Sequence, residues 1–481
     1  MMVHDEADVV TGPSQDILSF VQQLIPAEEW GPKSVEELGQ LPSFYQKIQR
    51  SCERLKTPYA ELSHDLQDAL VFRRLQQLVN TVRLNDLWKE RLQKAGISGT
   101  VETFQEWQQI PLSDDDLLNT WFAGQRDGMV VPLNHGLFEI IASGGTTTEV
   151  PLETVFSLGE LKETHRMVGD FLGRYVLKNH LLPTETKWVV NLYADYHVNS
   201  MGTLLGGGLQ HIDGVNYIAA GPLGLQVYQH MMSYEGQKAI LGTPQAIGGL
   251  YDMGMDLPQK VRESLRVAMY SSGFMPQKKL LELKLLYPHL TPLSYFSTAQ
   301  TGMMGVELEE GASAMATVPG LHFVEVVDQH GQWVAEGEEG HLVVTRLLNH
   351  TAPLLRLRTK DRVIRLPRLN KPGLQTHQFA YAGRSGDIIK LSDFSFPARK
   401  VFDALANSLK ISGVVDLKYL AYETQFLNHS SQKTLTLYAS ADDPIGLMNH
   451  LVYTLGAQGV RVFWELWLRN CVSYARYFRS T

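Results

Sequence analysis

Short apolar runs alternate with helical patterns over the middle of the chain, from about Pro132 onward. One of these helical patterns, "LGELKETHRMVGDFLGRYV", lies between two such runs. Parallel strands need a long crossover connection, usually a helix, so the alternation predicts strand–helix units and a mainly parallel sheet. The runs expected to form strands are VVPLN, FEIIA, KWVVNLYA, VNYIAA, KAILGT and VRESLRVAMYSSG.

The two flanks of this region differ from it. Residues 14–121 are predicted to be helical, because "SHDLQDALVFRRLQQLVNTVRL" spaces its apolar residues as one helix face does. From Leu321 the pattern is all-strand, with a hairpin signal at Asp328–Gly331, and after Gly383 strands mix with a helix near Pro397–Leu409. We therefore expect three parts, which are a helical N-terminal part (1–130), a core (131–383) and a small C-terminal domain (384–481).

Charge and cysteine content narrow the range of partners. The net charge of −8 argues against a nucleic-acid partner held by bulk charge, although a nucleotide needs only local donors. The two cysteines, Cys52 and Cys471, are far apart, which argues against a disulfide framework or a structural zinc site. The start MMVHDEADVV is unlike a signal peptide, and no apolar run approaches the roughly 20 residues that span a bilayer. A cytoplasmic protein without a membrane partner is expected.

The stretch "EIIASGGTTTEVP", Glu139 to Pro151, places two glycines and three threonines directly after a β-prone run. Glycines let backbone N–H groups approach an anion, and hydroxyls add donors, so the stretch can hold a phosphate. It lacks the GK[ST] end of a Walker A loop. Taken alone, it is more simply a polar turn after a strand.

Three later segments are equally ambiguous when each is taken alone. In "APLLRLRTKDRV", an acid flanked by arginines suits either sugar hydroxyls or an exposed salt-bridged strand. "YAGRSGDIIKLSDFSFP" has a glycine turn before a lysine-bearing strand, and "LSYFSTAQTGMMG" is an apolar strand that ends in hydroxyls and an amide.

In their order and separation, the four segments resemble the motifs of the adenylate-forming superfamily, most closely its phenylacetate–CoA ligase branch. Phe296–Gly302 matches the YGxTExG motif, and Gly320–Leu347 is similar to the "GLH…E…GE…GELV.T" stretch of that branch. The resemblance runs from about Phe138 to Pro397. Residues that match the other three motifs are Ser143, Gly144, Gly145, Thr146 and Thr147 (SSGTTGxP), Arg358, Thr359 and Asp361 (RTxD), and Gly383, Arg384, Asp387 and Lys390 (GRxxDxIK).

The resemblance implies an α/β fold with a large N-terminal domain of mainly parallel sheets flanked by helices, a β-barrel-like part and a small α+β C-terminal lid domain. It implies that ATP activates a carboxylic acid, aryl or apolar, as an acyl-adenylate. The acyl group then passes to CoA, to the thiol of an acyl-carrier protein or to another nucleophile. ATP/AMP and Mg²⁺ are the implied cofactors, and the sequence leaves a homodimer open.

The resemblance also assigns residues to roles. The residues implied to bind the nucleotide are Ser143, Gly145, Thr146, Thr147, Ser272, Gly273, Tyr295, Phe296, Asp361 and Arg384. Thr147 and Gln300 are the implied catalytic residues, and no residue is assigned as a resident metal ligand. The acyl pocket is expected from "NLYADYHVNSMGTLLGGG", with Tyr193 and His197 pointing inward beside glycines that make room, and with Gly273 nearby.

Three departures from the family pattern leave a second reading open. Thr148 and Glu149 stand where the first motif has glycine and lysine, and Gln300 replaces the glutamate that helps to hold Mg²⁺. The family's C-terminal catalytic lysine has no counterpart, since the last lysine is Lys433. The alternative is an impaired or repurposed member that binds an activated acyl group or a partner, or performs only the transfer or condensation step. Gly386 aligns with the hinge before the C-terminal lid.

Overall fold

The computed structural model describes two compact units, Met1–Ala382 and Gly383–Thr481. The backbone is described for residues 15–26, 31–142, 152–195, 200–273, 275, 277–384, 388–391, 394–397, 416–427, 430–440, 463–465 and 473–476. Side chains are described for the same residues except 277, 278 and those from 384 onward. The division into 1–130, 131–383 and 384–481 stays a prediction.

The N-terminal part is helical, as the sequence predicts. Its helices are α1 (Gln15–Leu24), α2 (Val35–Gln40), α3 (Phe44–Leu55), α4 (His64–Val82), α5 (Asp86–Lys94), α6 (Phe104–Gln108) and α7 (Asp115–Trp121). Side-chain caps define where they begin: Ser43 and Gln46 form a capping box at α3, and Ser63 caps α4. Since α4 is buried on most of its surface, it is the central helix of this part.

The middle of the chain forms the expected strand–helix units. Its elements are β1 (Phe138–Ala142), β2 (Glu153–Ser157), α8 (Leu158–Phe171), β3 (Lys187–Asn191), α9 (Met201–Leu209), β4 (Asn216–Ala219), α10 (Leu225–Met232), β5 (Gln237–Gly242), α11 (Pro244–Gly254), α12 (Gln259–Arg262), β6 (Leu265–Tyr270), α13 (Gln277–Leu286) and β7 (Thr291–Thr298). Strands β4, β3, β5, β6 and β7 lie side by side in that order, and all neighbours are parallel.

Both faces of this parallel sheet are buried. Successive side chains of a strand point to opposite faces, and Val189 and Val190 of β3 accordingly enter two different apolar clusters. One cluster joins the sheet to the N-terminal helices, α8 and α9, and the other joins it to α10, α11 and α13. The doubly covered parallel sheet explains why its strands are nearly continuous apolar runs.

Two of the expected strands behave differently. FEIIA forms β1, which pairs antiparallel with β2 in a separate two-stranded sheet. VVPLN forms no strand: the N–H groups of Val130 and Val131 both donate to the carbonyl of Thr351, at 3.0 and 2.9 Å, and a 3₁₀ turn follows at Leu133–His135. Pro132 has no N–H to give to a strand ladder, which explains the error.

Beyond β7 the same 11-stranded sheet continues with antiparallel strands, in the order β7-β8-β9-β15-β12-β11-β10. These strands are β8 (Gly302–Glu307), β9 (Ala314–Thr317), β10 (His322–Val327), β11 (Glu339–Arg346), β12 (Leu357–Arg365) and β15 (Gln378–Arg384), with a small hairpin of β13 (Leu369–Lys371) and β14 (Leu374–Thr376). The predicted hairpin at Asp328–Gly331 is confirmed, because the Asp328 carboxylate accepts the N–H groups of His330 and Gln332 at 2.8 and 2.9 Å.

One face of this antiparallel part carries an apolar cluster shared by many of its strands. Phe296 on β7 contacts Phe379 on β15, with ring centroids 5.6 Å apart, although two strands lie between them in the sheet order. The Phe379 ring reaches over Gly305 of β8, where a Cβ would lie 3.4 Å from it. The cluster also includes Met304, Val344 and Val363. These strands form the part of the sheet for which the resemblance implies a β-barrel-like arrangement.

The second unit contains two antiparallel sheets among its described residues. One pairs β16 (Ile388–Leu391) with β17 (Phe394–Pro397). The other has the order β18-β19-β21-β20, formed by β18 (Asp416–Leu427), β19 (Ser430–Ser440), β20 (Phe463–Glu465) and β21 (Ser473–Arg476). The helix predicted near Pro397–Leu409 lies almost wholly outside the described residues.

Glycines bring α8 and α9 into close contact. A Cβ on Gly169 of α8 would lie 2.5 Å from the carbonyl oxygen of Gly208, and one on Gly207 of α9 would lie 2.1 Å from the His165 ring. A Cβ on Gly206 would meet the Tyr217 hydroxyl at 2.5 Å. The space beside these glycines is thus filled by protein atoms, which corrects the expectation that they make room for an acyl group.

We expect Gly169→Ala to lower the free energy of unfolding by about 1–3 kcal/mol, because the new methyl group meets the backbone of α9 and the two helices must separate. Thermal and urea unfolding measure this change. Gly249→Ala is the matched control, since Gly249 is inside helix α11 and a Cβ there has no atom within 4 Å. The control should be neutral or stabilising by up to about 1 kcal/mol, because alanine favours a helix over glycine. Equal effects of the two substitutions would contradict the close-packing explanation.

His350 is packed in a region where a positive charge is unfavourable. Burial, together with the nearby Arg74 charge, lowers its pKa from 6.5 to about 4. The unfolded chain therefore takes up a proton at a higher pH than the folded chain does, and stability present above pH 6.5 is lost as the pH falls toward 4.

We expect His350→Gln to reduce the acid sensitivity of the protein by about 2 kcal/mol between pH 7.5 and pH 5. The free energy of unfolding in urea, measured at both pH values, gives the difference. His330→Gln, on the exposed hairpin turn, is the control and should keep the wild-type pH dependence. An unchanged pH dependence in His350→Gln would show that this histidine is already free to protonate in the folded state.

Candidate functional site

The order of the parallel strands locates a crevice. From β3 the chain crosses to β4 on one side and then returns to β5 on the other side, so the direction of crossing reverses between β3 and β5. In open α/β sheets, ligands bind outside the carboxyl ends of the strands at such a reversal point. The candidate site therefore lies where β3, β5, β6 and β7 end.

Asn191, the last residue of β3, organises this edge of the sheet. Its side chain is 1% exposed, its Oδ1 accepts the N–H of Tyr193 at 3.0 Å and its Nδ2 donates to the carbonyl of Gly202 at 3.1 Å. Its backbone carbonyl accepts the N–H groups of Ala220 and Gly221, both at 3.0 Å. One buried residue thus joins the turn after β3, the start of α9 and the end of β4.

Hydroxyl groups connect the carboxyl ends of β3, β6 and β7. The Tyr193 hydroxyl donates to the carbonyl of Ser271 at 3.3 Å, and the hydroxyls of Ser271 and Ser297 lie 3.3 Å apart. Burial raises the pKa of Tyr193, so its hydroxyl stays protonated and remains a donor. The structure brings Tyr193, Ser271 and Ser297 together after β3, after β6 and within β7.

Ser272 and Gly273 form the exposed rim beside this cluster. Ser272 has φ of +70°, a left-handed conformation that is uncommon for a residue with a side chain. A Cβ on Gly273 would lie 3.4 Å from Pro244, at the first turn of α11. The backbone of this rim is therefore open to solvent while its neighbour Ser271 is buried.

Tyr295 and Phe296, assigned together as a stacking surface, lie on opposite faces of β7. Tyr295 is 2% exposed and belongs to the cluster beneath α8 and α9, next to Tyr193. Phe296 faces the antiparallel part, against Phe379 and Tyr381. Because successive side chains of a strand alternate, the two rings cannot form one surface, and Phe296 alone is half-buried.

A small apolar pocket lies between α8, α9, β7 and β8. Its free volume is about 10 Å³, enough for one water molecule. Its lining residues are Thr164, Val168, Met201, Leu204, Leu205, Tyr295, Ser297, Gly302 and Met303. Since Ser297 also contacts Ser271, this pocket adjoins the hydroxyl cluster.

The turn Thr298–Gly302, which carries the half-buried Gln300, is held by its own threonines. The hydroxyls of Thr298 and Thr301 lie 2.8 Å apart, and the N–H of Thr301 donates to the Thr298 hydroxyl at 3.2 Å. His322 Nε2 donates to the carbonyl of Thr301 at 3.0 Å from behind the turn. Sequence reasoning missed Asn191 and His322, because neither residue stands out by spacing or charge pattern.

Asp361 is buried, whereas the neighbouring charged residues of β12 form ion pairs at the surface. Arg358 and Lys360 of β12 face Asp114 and Asp115 near the start of α7, at 4.0 and 2.6 Å. Asp361 is 5% exposed, on the same face of β12 as Val363, and its N–H donates to the Thr359 hydroxyl at 3.2 Å. The salt-bridged-strand explanation therefore fits Arg358 and Lys360, whereas Asp361 lies on the buried face of the strand.

Several assigned residues lie outside the described part of the chain. They are Ser143, Gly145, Thr146 and Thr147 of the first motif, His197 and the hinge residue Gly386. Arg384 ends β15, but its side chain is not described. In the described residues, histidine, cysteine and acidic side chains form no group of three or more that could hold a metal ion. No helix there is long and apolar enough to cross a bilayer.

Comparison with solved structures identifies the fold. A 2-hydroxyisobutyryl-CoA ligase, crystallised in an open conformation with 2-HIB-AMP and CoA, superposes with a TM-score of 0.60 at 15% identity, over 84% of this chain and 93% of that chain. The same ligase in its postadenylation state with 2-HIB-AMP gives a TM-score of 0.59 at 16% identity, over 74% and 75% of the two chains. This chain has the fold of adenylate-forming enzymes. No protein-family model and no curated protein matches its sequence.

We expect Asn191→Ala to lower the free energy of unfolding by about 1–3 kcal/mol, since it removes the side-chain hydrogen bonds to the N–H of Tyr193 and the carbonyl of Gly202 and leaves that N–H without its acceptor. Urea unfolding at pH 7.5 measures the loss. Asn216→Ala is the control at the far end of the neighbouring strand, where the exposed amide donates to the carbonyl of Lys187. Its effect should stay within about 0.5 kcal/mol. If both variants lost the same free energy of unfolding, the proposed role of Asn191 in joining these segments would be wrong.

Proposed function

We propose that this protein activates a carboxylic acid with ATP as an acyl-adenylate and transfers the acyl group to the thiol of CoA or of an acyl-carrier protein. The observation that supports this most is the hydroxyl cluster Tyr193–Ser271–Ser297 at the reversal point of an adenylate-forming fold. The solved structures of similar fold belong to a ligase with an acyl-AMP and CoA bound, and the four motifs resemble that superfamily.

The proposed reaction has two steps. A carboxylate oxygen attacks the α-phosphorus of ATP, so that a new P–O bond forms and pyrophosphate leaves. A thiol sulfur then attacks the acyl carbon and loses its proton to solvent, a C–S bond forms, and AMP leaves with the electron pair of the broken C–O bond. Neither step needs a covalent protein intermediate, so the protein contributes mainly positioning and charge stabilisation.

In this proposal the nucleotide lies along the carboxyl ends of the parallel strands. The exposed backbone of Ser272 and Gly273 faces the adenine, and the half-buried Phe296 packs against one side of the base. Asp361 accepts hydrogen bonds from the ribose hydroxyls, assisted by Arg384. The phosphates are assigned to Ser143, Gly145, Thr146 and Thr147.

In this proposal the protein contributes few ligands to Mg²⁺. Gln300, on the turn between β7 and β8, offers one neutral amide oxygen where an acid would offer a charged one. Bound Mg²⁺ would neutralise phosphate charge, and its remaining oxygen ligands would come from the triphosphate and water. We therefore expect Mg²⁺ binding to depend less on the Gln300 side chain than it would on a glutamate at this position.

The acid is proposed to enter the apolar pocket below the hydroxyl cluster, beside Tyr193 and His197. A free volume of about 10 Å³ admits an acyl or aryl group only if side chains move. Met201 and Met303 are the most adaptable residues of its lining, since methionine has three rotatable bonds and no branch. Apolar acids are expected to fit better than charged ones, because the lining offers no ion to pair with a second charge.

Glutamine rather than glutamate at position 300, and the absence of lysine from residues 434–481, favour a second candidate function without adenylation. A member that binds an activated acyl group, or that performs only the transfer step, needs neither the metal ligand nor the adenylating lysine. A homodimer and a cytoplasmic location remain part of the proposal in either case.

Radiolabelled pyrophosphate exchange into ATP, measured with a panel of apolar acyl and aryl acids, tests the proposal directly. We expect acid-dependent exchange, and we expect Asp361→Ala to raise the KM for ATP about 10- to 100-fold, because a hydrogen bond to a charged group contributes roughly 1.5–3 kcal/mol. Asp361→Asn, which keeps the side-chain shape and one acceptor oxygen, should have a smaller effect.

Asp252→Ala, an exposed acid on α11, controls for loss of negative charge and should keep the wild-type KM. Melting temperatures of all variants, with and without ATP, separate binding from folding. No exchange with any acid and no thermal shift with ATP would overturn the adenylation proposal. A thermal shift without exchange would favour the binding or transfer-only function.

A further inference from the structure

A buried charged group lies at the end of β11, in the stretch Gly320–Leu347 rather than in one of the four nucleotide motifs. Arg346, the last residue of β11, is 7% exposed. Its Nη2 donates to the carbonyl of Val155 at 2.9 Å, and its guanidinium lies 3.9 Å from the centroid of the Phe156 ring. Both contacts are on β2, which in the sequence directly follows the first motif segment, residues 143–151.

Glu160 forms a buried ion pair with Arg346. Its carboxylate lies 3.4 Å from Arg346 Nε, and its backbone N–H donates to the Ser157 hydroxyl at the start of α8. The Arg346 guanidinium thus contacts a backbone carbonyl, an aromatic ring and a carboxylate, and it links β11 to β2 and to the start of α8.

His322 stands directly opposite Arg346 on the neighbouring strand β10, as its cross-strand partner. It is 8% exposed, and its Nε2 lies 3.0 Å from the carbonyl oxygen of Thr301. A carbonyl can only accept, so Nε2 carries the proton in this hydrogen bond. Burial, with the adjacent Arg346 charge, lowers the pKa of His322 to about 3, so the ring is neutral at physiological pH.

The two side chains therefore reach two different segments, strand β2 and the turn Thr298–Gly302, from one place in the sheet. Arg346 fixes the strand that follows residues 143–151, and His322 fixes the carbonyl next to Gln300 in the turn Thr298–Gly302. The Cβ atoms of directly opposite residues on antiparallel strands lie about 5 Å apart, so the two side chains start from adjacent positions.

We propose that His322 and Arg346 form a positioning pair that sets the position of strand β2 relative to the turn that carries Gln300. The consequence for catalysis rests on the proposed function, in which the first segment holds the ATP phosphates and Gln300 serves the metal. A displacement of about 1 Å between groups that hold one transition state can cost about 10²-fold in rate. Neither residue is a catalytic residue, because both act through backbone groups of other segments.

The test compares two neutral replacements of His322. Glutamine keeps a donor for the Thr301 carbonyl, whereas leucine keeps the bulk and removes the donor. We expect His322→Leu to raise the KM for ATP at least about 10-fold and to lower kcat/KM about 10- to 100-fold, as expected for a loss of positioning. His322→Gln should keep the KM for ATP and kcat/KM within about threefold of the wild-type values.

His350→Leu is the matched control, since His350 is a second histidine with a depressed pKa, on a loop after β11. It should lower the melting temperature about as much as His322→Leu while leaving the KM for ATP unchanged. Equal kinetic effects of the two leucine variants, or equal effects of leucine and glutamine at His322, would overturn the positioning role.

Amide hydrogen exchange supplies a readout that does not depend on catalysis. In His322→Leu, we expect faster exchange both in the peptide covering 296–303 and in the peptide covering 153–157, with no such change in His350→Leu. Faster exchange in only one of the two peptides, or in neither, overturns the pair. If wild-type protein shows no pyrophosphate exchange and no ATP thermal shift, the proposed function fails, and paired acceleration in the two peptides still supports the positioning of these segments.

Discussion

The carboxyl edge of the parallel sheet depends on one buried amide, that of Asn191. At this edge, β3, β4 and α9 leave backbone donors and acceptors that no strand ladder satisfies, and the side chain and carbonyl of Asn191 pair with four of them. Buried polar groups without partners are costly, so these hydrogen bonds decide where the chain turns after β3. Tyr193 then reaches Ser271, and the hydroxyl cluster forms across three strand ends.

At β7 the strand pairing changes from parallel to antiparallel, and antiparallel strands adjoin the crevice. Phe296 lies on the face of β7 opposite to Tyr295 and packs against Phe379 and Tyr381. Strand β12 of the same sheet brings Asp361 to a buried position, while its neighbours Arg358 and Lys360 pair with acids near α7. The parallel half of the 11-stranded sheet thus carries the crevice, and the antiparallel half carries Asp361, the candidate ribose acceptor.

Periodicity and composition predicted the strand–helix units, the N-terminal helices and the hairpin at Asp328, because each of these is encoded within a short window. They failed at VVPLN, where Pro132 and the Thr351 carbonyl take the place of a ladder. The resemblance, rather than periodicity, gave the wrong expectation for Gly206 and Gly207, whose neighbours come from β4 and α8. Asn191 and His322 could not be found from the sequence, since their partners are set by tertiary contacts. The opposite orientation of Tyr295 and Phe296 followed from strand alternation, which the motif comparison had not considered.

The departures from the family pattern bear unequally on the chemistry. In the proposed function, a glutamine at position 300 keeps one neutral oxygen for Mg²⁺, and hydrogen bonds of Thr298, Thr301 and His322 hold the turn that carries it. Such a ligand lacks charge, whereas positioning contributes much of the rate when a reaction needs no covalent help. In the same proposal, the absence of lysine from residues 434–481 removes a positive donor from the developing transition state, which costs about 10²- to 10³-fold. Slow adenylation, rather than failed binding of ATP, is therefore the defect that the proposed function predicts most directly.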